Sequence, residues 1–307
     1  MAPNLQIRLL GRLSVRHAGE RIEGLESKKA QELLCYLLLH RDKAHHREAL
    51  GSLLWPDCTL AQSKKYLRQS IWQLQVALDA CGGRDAHLSV DNEWIQLLES
   101  ALLSLDVAKV DDASSMVAEG LRLRDGDEDA VVAAIDVYEG ELLEGWYHEW
   151  CVFERACVHR KYLRLADCMM EHCLRSGDFA RGREIGLKTL RFDRARETTH
   201  RLMMRLHAEE GDRTGAIRQY EWCTSLLAKD LGVGPSNETR EAFDHVRSAE
   251  GATSAPPSSA ANEGATTANG SEAGDSLAEV LRRLDAMQEH VEQLRALVAS
   301  ALEGSGS

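Results

Sequence analysis

The sequence predicts an α+β domain of short strands and three helices, then an all-α domain of paired helices, a disordered linker and a C-terminal coiled-coil helix. Three observations carry this. Short alternating stretches before residue 20 and around residue 90 bracket three amphipathic helical runs. Two Gly-Asp pairs, Gly177–Asp178 and Gly211–Asp212, recur 34 residues apart within helical sequence. Beyond residue 250, a stretch without large apolar side chains gives way to a heptad pattern. The expected segments are 1–110, 111–250, 251–275 and 276–303.

The first segment opens with LQIRLL (5–10) and LSVRH (13–17), strands separated by Gly11 and Arg12, with a tight turn at Ala18–Gly19 into ERIEGL. Ser27 is the expected N-cap of a first helix, AQELLCYLLLH, which should bury Leu33, Leu34, Leu37 and Leu38. A second helix, HREALGSLLW, must stop at Trp55–Pro56 because proline cannot continue it. A third runs from about Leu60 to Leu78 and is closed by Cys81–Gly82–Gly83. HLSVDNEWIQLLE then reads as two strands around an Asp91–Asn92 turn. Strands, three helices and a hairpin in that order describe a winged helix-turn-helix.

The third helix carries the main functional signal. Leu67, Ile71, Leu74 and Leu78 form a stripe spaced 4-3-4 that should pack on the first two helices. Gln62, Lys65, Gln69, Trp72 and Gln73 point the other way, Arg68 lies on the flank, and Lys64 could reach a phosphate from the stripe's edge. No carboxylate occurs in the run SKKYLRQSIWQLQ (63–75), although the chain's formal net charge is −12. Residues 1–110 hold 14 Lys+Arg and 13 Asp+Glu, so the acid is concentrated in the remainder. A helix fits the major groove, glutamine and arginine can pair with base edges, and lysine neutralises phosphate. The competing reading is an ordinary solvated face, with Trp72 as a prop. The hairpin tip, Asp91–Asn92–Glu93, is acidic and does not suit phosphate.

From about Asp111 to Glu250 the pattern is helical, with small residues Gly182 and Ala216 at matching repeat positions and flanking helices expected near 128–144, 149–175 and 237–249. Trp146, Tyr147 and Trp150 are expected in core packing where repeat helices meet, with a ligand pocket as the alternative. Residues 251–275 should be a linker. In the last segment Leu277, Val280, Leu284, Met287, Val291, Leu294, Val298 and Ala301 form a heptad seam, suited to self-association or to docking on the same protein.

The 307 residues include eight cysteines without a CxxC pair, which should be reduced, and Cys168, His172 and Cys173 do not share a face suited to metal. The histidines sit in no HExxH or nucleophile-elbow setting, so neither enzyme activity nor a cofactor is expected. No apolar run approaches the ~20 residues of a membrane span, and MAPNLQIRLLGRL does not read as a signal peptide. A cytoplasmic location follows.

With these segments in view, residues 5–107 resemble the OmpR/PhoB-type winged-helix domain of the Streptomyces antibiotic regulatory protein family, through LQIRLLGRLSV, SLLWPD (52–57), YLRQSIWQLQVAL (66–78) and LSVDNEWIQL leading to SLDVAKV. Residues 111–250 are similar to the bacterial transcriptional activator domain of that family, through YEGELLEGWYHEW (138–150), GDFARGREIGLKTLRFD, RETTHRLMMRLHAEEGD (196–212), AIRQYEWC and LAKDLGVGPSNETREAF (227–243). The resemblance covers about four-fifths of the chain. It implies a promoter-binding transcription activator whose third helix reads double-stranded DNA. The loop Pro56–Leu60, with Pro56, Asp57 and Thr59, would face RNA polymerase, and the helical domain would serve dimerisation or regulation. The chain departs from the family where arginines are frequent late in the third helix; it has Trp72–Gln73–Leu74–Gln75 there. A protein-interaction scaffold with a winged helix that does not bind DNA is the alternative function.

Overall fold

A computed structural model of the chain describes residues 5–79, 81, 87–98, 103–117, 123–124 and 126–248. The linker expected at 251–275 and the heptad seam from Leu277 to Val298 lie outside the described residues.

The strands β1 (Leu5–Arg8), β2 (Ser14–His17) and β3 (Glu20–Arg21) form an antiparallel meander. Leu5 and Ile7 turn inward and Gln6 and Arg8 outward, as the period of two requires. Helix α1 (Lys28–Leu39) follows, its first turn capped by the Ser27 hydroxyl, and Leu33, Leu34, Leu37 and Leu38 are fully buried. The short β4 (His45–His46) leads into α2 (Arg47–Leu54), and α3 spans Leu60–Asp79. The hairpin β5 (Leu88–Val90) and β6 (Trp94–Leu97) pairs Val90 with Ile95, and β4 adds to the other side of β6. Finally β7 (Leu103–Leu105) returns to lie parallel to β1, giving the order β3-β2-β1-β7. The winged-helix order read from the sequence is the order observed.

The junction to the helical domain lies at Leu105–Asp106, so α4 (Asp106–Met116) runs through the boundary placed at 110/111. The reason is local. The buried Asp106 carboxylate accepts N–H bonds from Leu9, Leu10 and Val107 at 2.8–2.9 Å. It thereby ties the end of β1 to the first turn of α4, where a carboxylate also suits the helix dipole. Burial pushes this carboxyl up, against the three donors that pull it down.

Helix α5 (Glu128–Val137) is shorter than the expected 128–144. The chain leaves the helix at Tyr138 because the next residues have partners on the head. Leu10 bridges Leu142, Gly11 donates to the Glu141 carbonyl at 2.8 Å, and Leu143 donates to the Leu9 carbonyl at 2.8 Å. A Cβ at Gly140 would stand 2.9 Å from the Gly11 Cα, so glycine is needed for this approach. Arg155 donates to the carbonyls of Leu142, Leu143 and Trp146 and holds the loop from behind. Of the three aromatics expected in core packing, Trp146 and Trp150 are partly buried against the core and Tyr147 is not. The Trp150 indole donates to the buried Glu32 carboxylate of α1 at 3.2 Å, and Tyr147 is 86% exposed.

The remaining helices are α6 (Glu149–Ser176), α7 (Phe179–Phe192), α8 (Glu197–Glu209), α9 (Arg213–Leu226) and α10 (Asn237–Ser248), with a π-turn at Leu227–Leu231. Helices α7 and α9 have the same length and are offset by the 34 residues of the sequence repeat. Each Gly-Asp pair is a helix stop followed by a helix start. Gly177 and Gly211 adopt φ +80° and +88°, and the Asp178 and Asp212 carboxylates cap the next helix at the N–H of Arg181 and Gly215. A Cβ at Gly182 would meet Leu206 at 2.7 Å, and its counterpart Ala216 is fully buried. Cys168 and Cys173 lie in this core, where burial pushes the Cys173 thiol up to about 11, while His172 turns to Glu128 at 3.8 Å.

Candidate nucleic-acid interface

Helix α3 has two sharply different sides. Leu67, Ile71, Leu74, Ala77 and Leu78 are buried against the head's core. Gly51 of α2 and Ser63 of α3 face each other, a Cβ on Gly51 falling 3.4 Å from the Ser63 hydroxyl, so small residues set the close crossing of these helices. The opposite side of α3 carries Lys65, Arg68, Gln69 and Trp72, all exposed, with Gln73 half-buried. Trp72 is 63% exposed and so is no prop of the core.

The structure divides the expected contact residues into free and committed ones. Among the described residues, Lys65, Arg68, Gln69, Trp72 and Gln73 have no hydrogen-bond or ion-pair partner. Gln62 is different. Its carbonyl accepts from the backbone N–H and hydroxyl of Thr59 at 3.2 and 3.1 Å, and the Thr59 hydroxyl accepts from the Gln62 N–H at 3.4 Å. This is a reciprocal cap of the helix start, so Gln62 is a helix-starting residue more than a free reader. Lys64 is exposed as well, but it has a partner. Its ammonium pairs with Glu48 of α2 at 2.6 Å, and that contact holds the Glu48 carboxyl below its usual range. Sequence reasoning missed Val76, which is 50% exposed. Lys65, Gln69, Trp72 and Val76 repeat the 4-3-4 spacing of the buried stripe, shifted by two residues, which places them opposite it.

The hairpin is tied to the start of α2. Its acidic tip is partly turned on itself: the Asp91 carboxylate accepts the N–H groups of Glu93 and Trp94 at 2.8 and 2.6 Å, which lowers its pKa. The Arg47 guanidinium donates to the Asp91 carbonyl at 2.7 Å and fixes the tip to the start of α2. Asp91 thus builds the turn, and Trp94, 45% exposed, packs edge-on to His46 with ring centroids 5.3 Å apart. In the loop between α2 and α3, Pro56, Asp57 and Thr59 are exposed, and Thr59 doubles as the α3 cap.

A strand-flanked three-helix head with a hairpin after its third helix, continued by capped helical pairs, defines a two-part architecture of head and helical repeat. Residues 105–247 match the family described as the bacterial transcriptional activator domain, and this segment of the chain is similar to that family. The solved structure of Mycobacterium tuberculosis EmbR in complex with a low affinity phosphopeptide superposes with a TM-score of 0.62 at 16% identity, over 80% of this chain and 65% of that one. The chain therefore spans about two-thirds of that protein's length, and the likeness is one of fold. No curated protein matches the sequence.

Proposed function

We infer that the chain is a sequence-specific DNA-binding transcriptional regulator, an activator that seats α3 in the major groove of promoter DNA and recruits RNA polymerase. The observation that carries this reading is the outward side of α3: partner-free Lys65 and Arg68, followed by exposed Gln69 and Trp72, on a helix with no carboxylate before Asp79. A cation that serves the fold finds an internal partner. These two do not, and phosphate supplies one. Pro56, Asp57 and Thr59 would face the polymerase. The helical domain and the seam from Leu277 to Val298 would set the spacing of subunits on repeated half-sites. The reading needs no catalytic group and no cofactor, and it places the protein at the nucleoid in the cytoplasm.

A second reading has its own support. Trp72 and Val76 are apolar and exposed late in the helix, where the chain has Gln73 and Gln75 in place of the arginines frequent in similar regulators, which also suits a head that binds protein in a scaffold. An electrophoretic shift of the full chain on promoter fragments at about 50 and 200 mM salt separates the two, since phosphate-dependent affinity falls steeply over that range. Binding that weakens with salt and vanishes in the Lys65→Glu, Arg68→Glu variant supports the regulator. Binding indifferent to salt supports the scaffold.

A further inference from the structure

The outward side of α3 is not uniform along its length. Its cations, Lys65 and Arg68, occupy the first half. From Gln69 to Leu78 there is no charged residue, and the exposed groups are Gln69, Trp72 and Val76 with the half-buried Gln73. Two apolar side chains at 63% and 50% exposure, a turn apart and opposite the buried stripe, are unlike the polar cover of a solvated helix. The two glutamines sit one turn apart beside them. Gln69 to Val76 spans about 10 Å of helix at about 1.5 Å per residue, close to the rise of three base pairs.

In the major groove each base pair shows a different edge. Adenine offers an N7 acceptor and an N6 donor that glutamine matches with both ends of its amide, and thymine offers a methyl group that only apolar contact rewards. Guanine is matched best by arginine or lysine, which this half of the helix lacks. We propose that the second half of α3 selects A·T base pairs, Gln69 and Gln73 pairing with adenine edges and Trp72 and Val76 packing on thymine methyls. Lys65 and Arg68 hold the first half to the DNA. The inference rests on the DNA-binding reading and adds the class of sequence that the head accepts.

The test is selection of binding sites by the full-length chain from a random duplex library, followed by anisotropy titration of the selected duplex. Each thymine is then replaced by deoxyuridine, which removes only the C5 methyl. The expected site has a run of A·T pairs. Each contacted methyl should count for about fourfold in affinity, the value of one buried carbon. Trp72→Ala should bind more weakly and lose its response to deoxyuridine, and Gln73→Ala should relax the choice at one adenine. A selected site dominated by G·C, or deoxyuridine sensitivity that survives unchanged in Trp72→Ala, overturns this inference and leaves DNA binding standing. If no sequence is enriched and no duplex is retained in a salt-dependent way, the DNA-binding reading falls with it.

Discussion

Arginines that join the helices of the helical domain and the arginine on the outward side of α3 do opposite things. In the helical domain, guanidinium groups cross from one helix to the next to reach carboxylates. Arg196 meets Asp167 through two bonds at 2.6 and 2.7 Å, Arg205 meets Glu171, Arg201 meets Glu238, and Arg194 meets Asp230. On α3 of the head, Arg68 and its neighbour Lys65 reach no partner among the described residues. The first set is used up in fixing how helices stack. The second set remains available to a partner that the protein does not itself provide.

The largest expected effect lies in the first set. Asp167 is buried, and its loss would strand the Arg196 guanidinium in a low-dielectric site. Asp167→Ala should cost about 3 kcal/mol of stability, as removal of one partner of a buried pair does. The expected measurement is a clear fall in thermal midpoint, with DNA affinity unchanged well below it. If the midpoint does not move, Arg196 is not held as the structure indicates.

The second expectation inverts the first. Lys65→Glu with Arg68→Glu should lower affinity for promoter DNA by about a hundredfold, because two contacts with phosphate become repulsions. The melting temperature should stay within a degree or so, since neither side chain has a contact to lose. A large loss of stability in this variant would mean that the face is structural.

Some of this contrast was legible in the sequence. The 4-3-4 stripe gave the buried side of α3 directly, because a helix that covers a core must repeat apolar residues at that period. The Gly-Asp repeat likewise marked the turns between helices, since a left-handed glycine and a capping carboxylate are local requirements. What stayed hidden depends on contacts distant in sequence. The Lys64–Glu48 pair joins residues on different helices. The end of α5 at Val137 reflects partners near Leu10 and Gly11, which helical periodicity does not register. Gln62 is an instructive middle case. Thr59 and Gln62 have the spacing of a reciprocal cap, so its commitment was readable, yet its position on the outward face suggested a base contact.

A smaller effect concerns acid. His200 is fully buried; its Nε2 donates to the Arg194 carbonyl at 2.9 Å and its Nδ1 accepts from the Gln219 amide at 2.6 Å. The bond accepted at Nδ1 needs the neutral ring, and burial lowers the histidine's pKa, outweighing the Arg194 carbonyl that favours the proton. The unfolded chain then takes up a proton below about pH 6.5 that the folded chain refuses, so stability falls as the pH drops through that value. Melts at pH 7.5 and 5.5 should show this slope, and His200→Gln should make it shallower. An unchanged slope would assign the acid sensitivity to other groups.

The smallest effect is expected where the contrast between the two regions blurs. Lys64 belongs to α3 but behaves like the arginines of the helical domain, since its ammonium is bound to Glu48. Lys64→Ala should therefore change DNA affinity by about twofold or less, whereas Lys65→Ala, one residue on, should weaken binding further and reduce its salt dependence by about one phosphate contact. Glu48→Gln releases the ammonium and removes a carboxylate near the interface, so it should strengthen binding, and adding Lys64→Ala should cancel part of that gain. Equal losses from Lys64→Ala and Lys65→Ala in the parent chain would show that Lys64 leaves Glu48 when DNA arrives, and the division between committed and available cations would then hold only for the free protein.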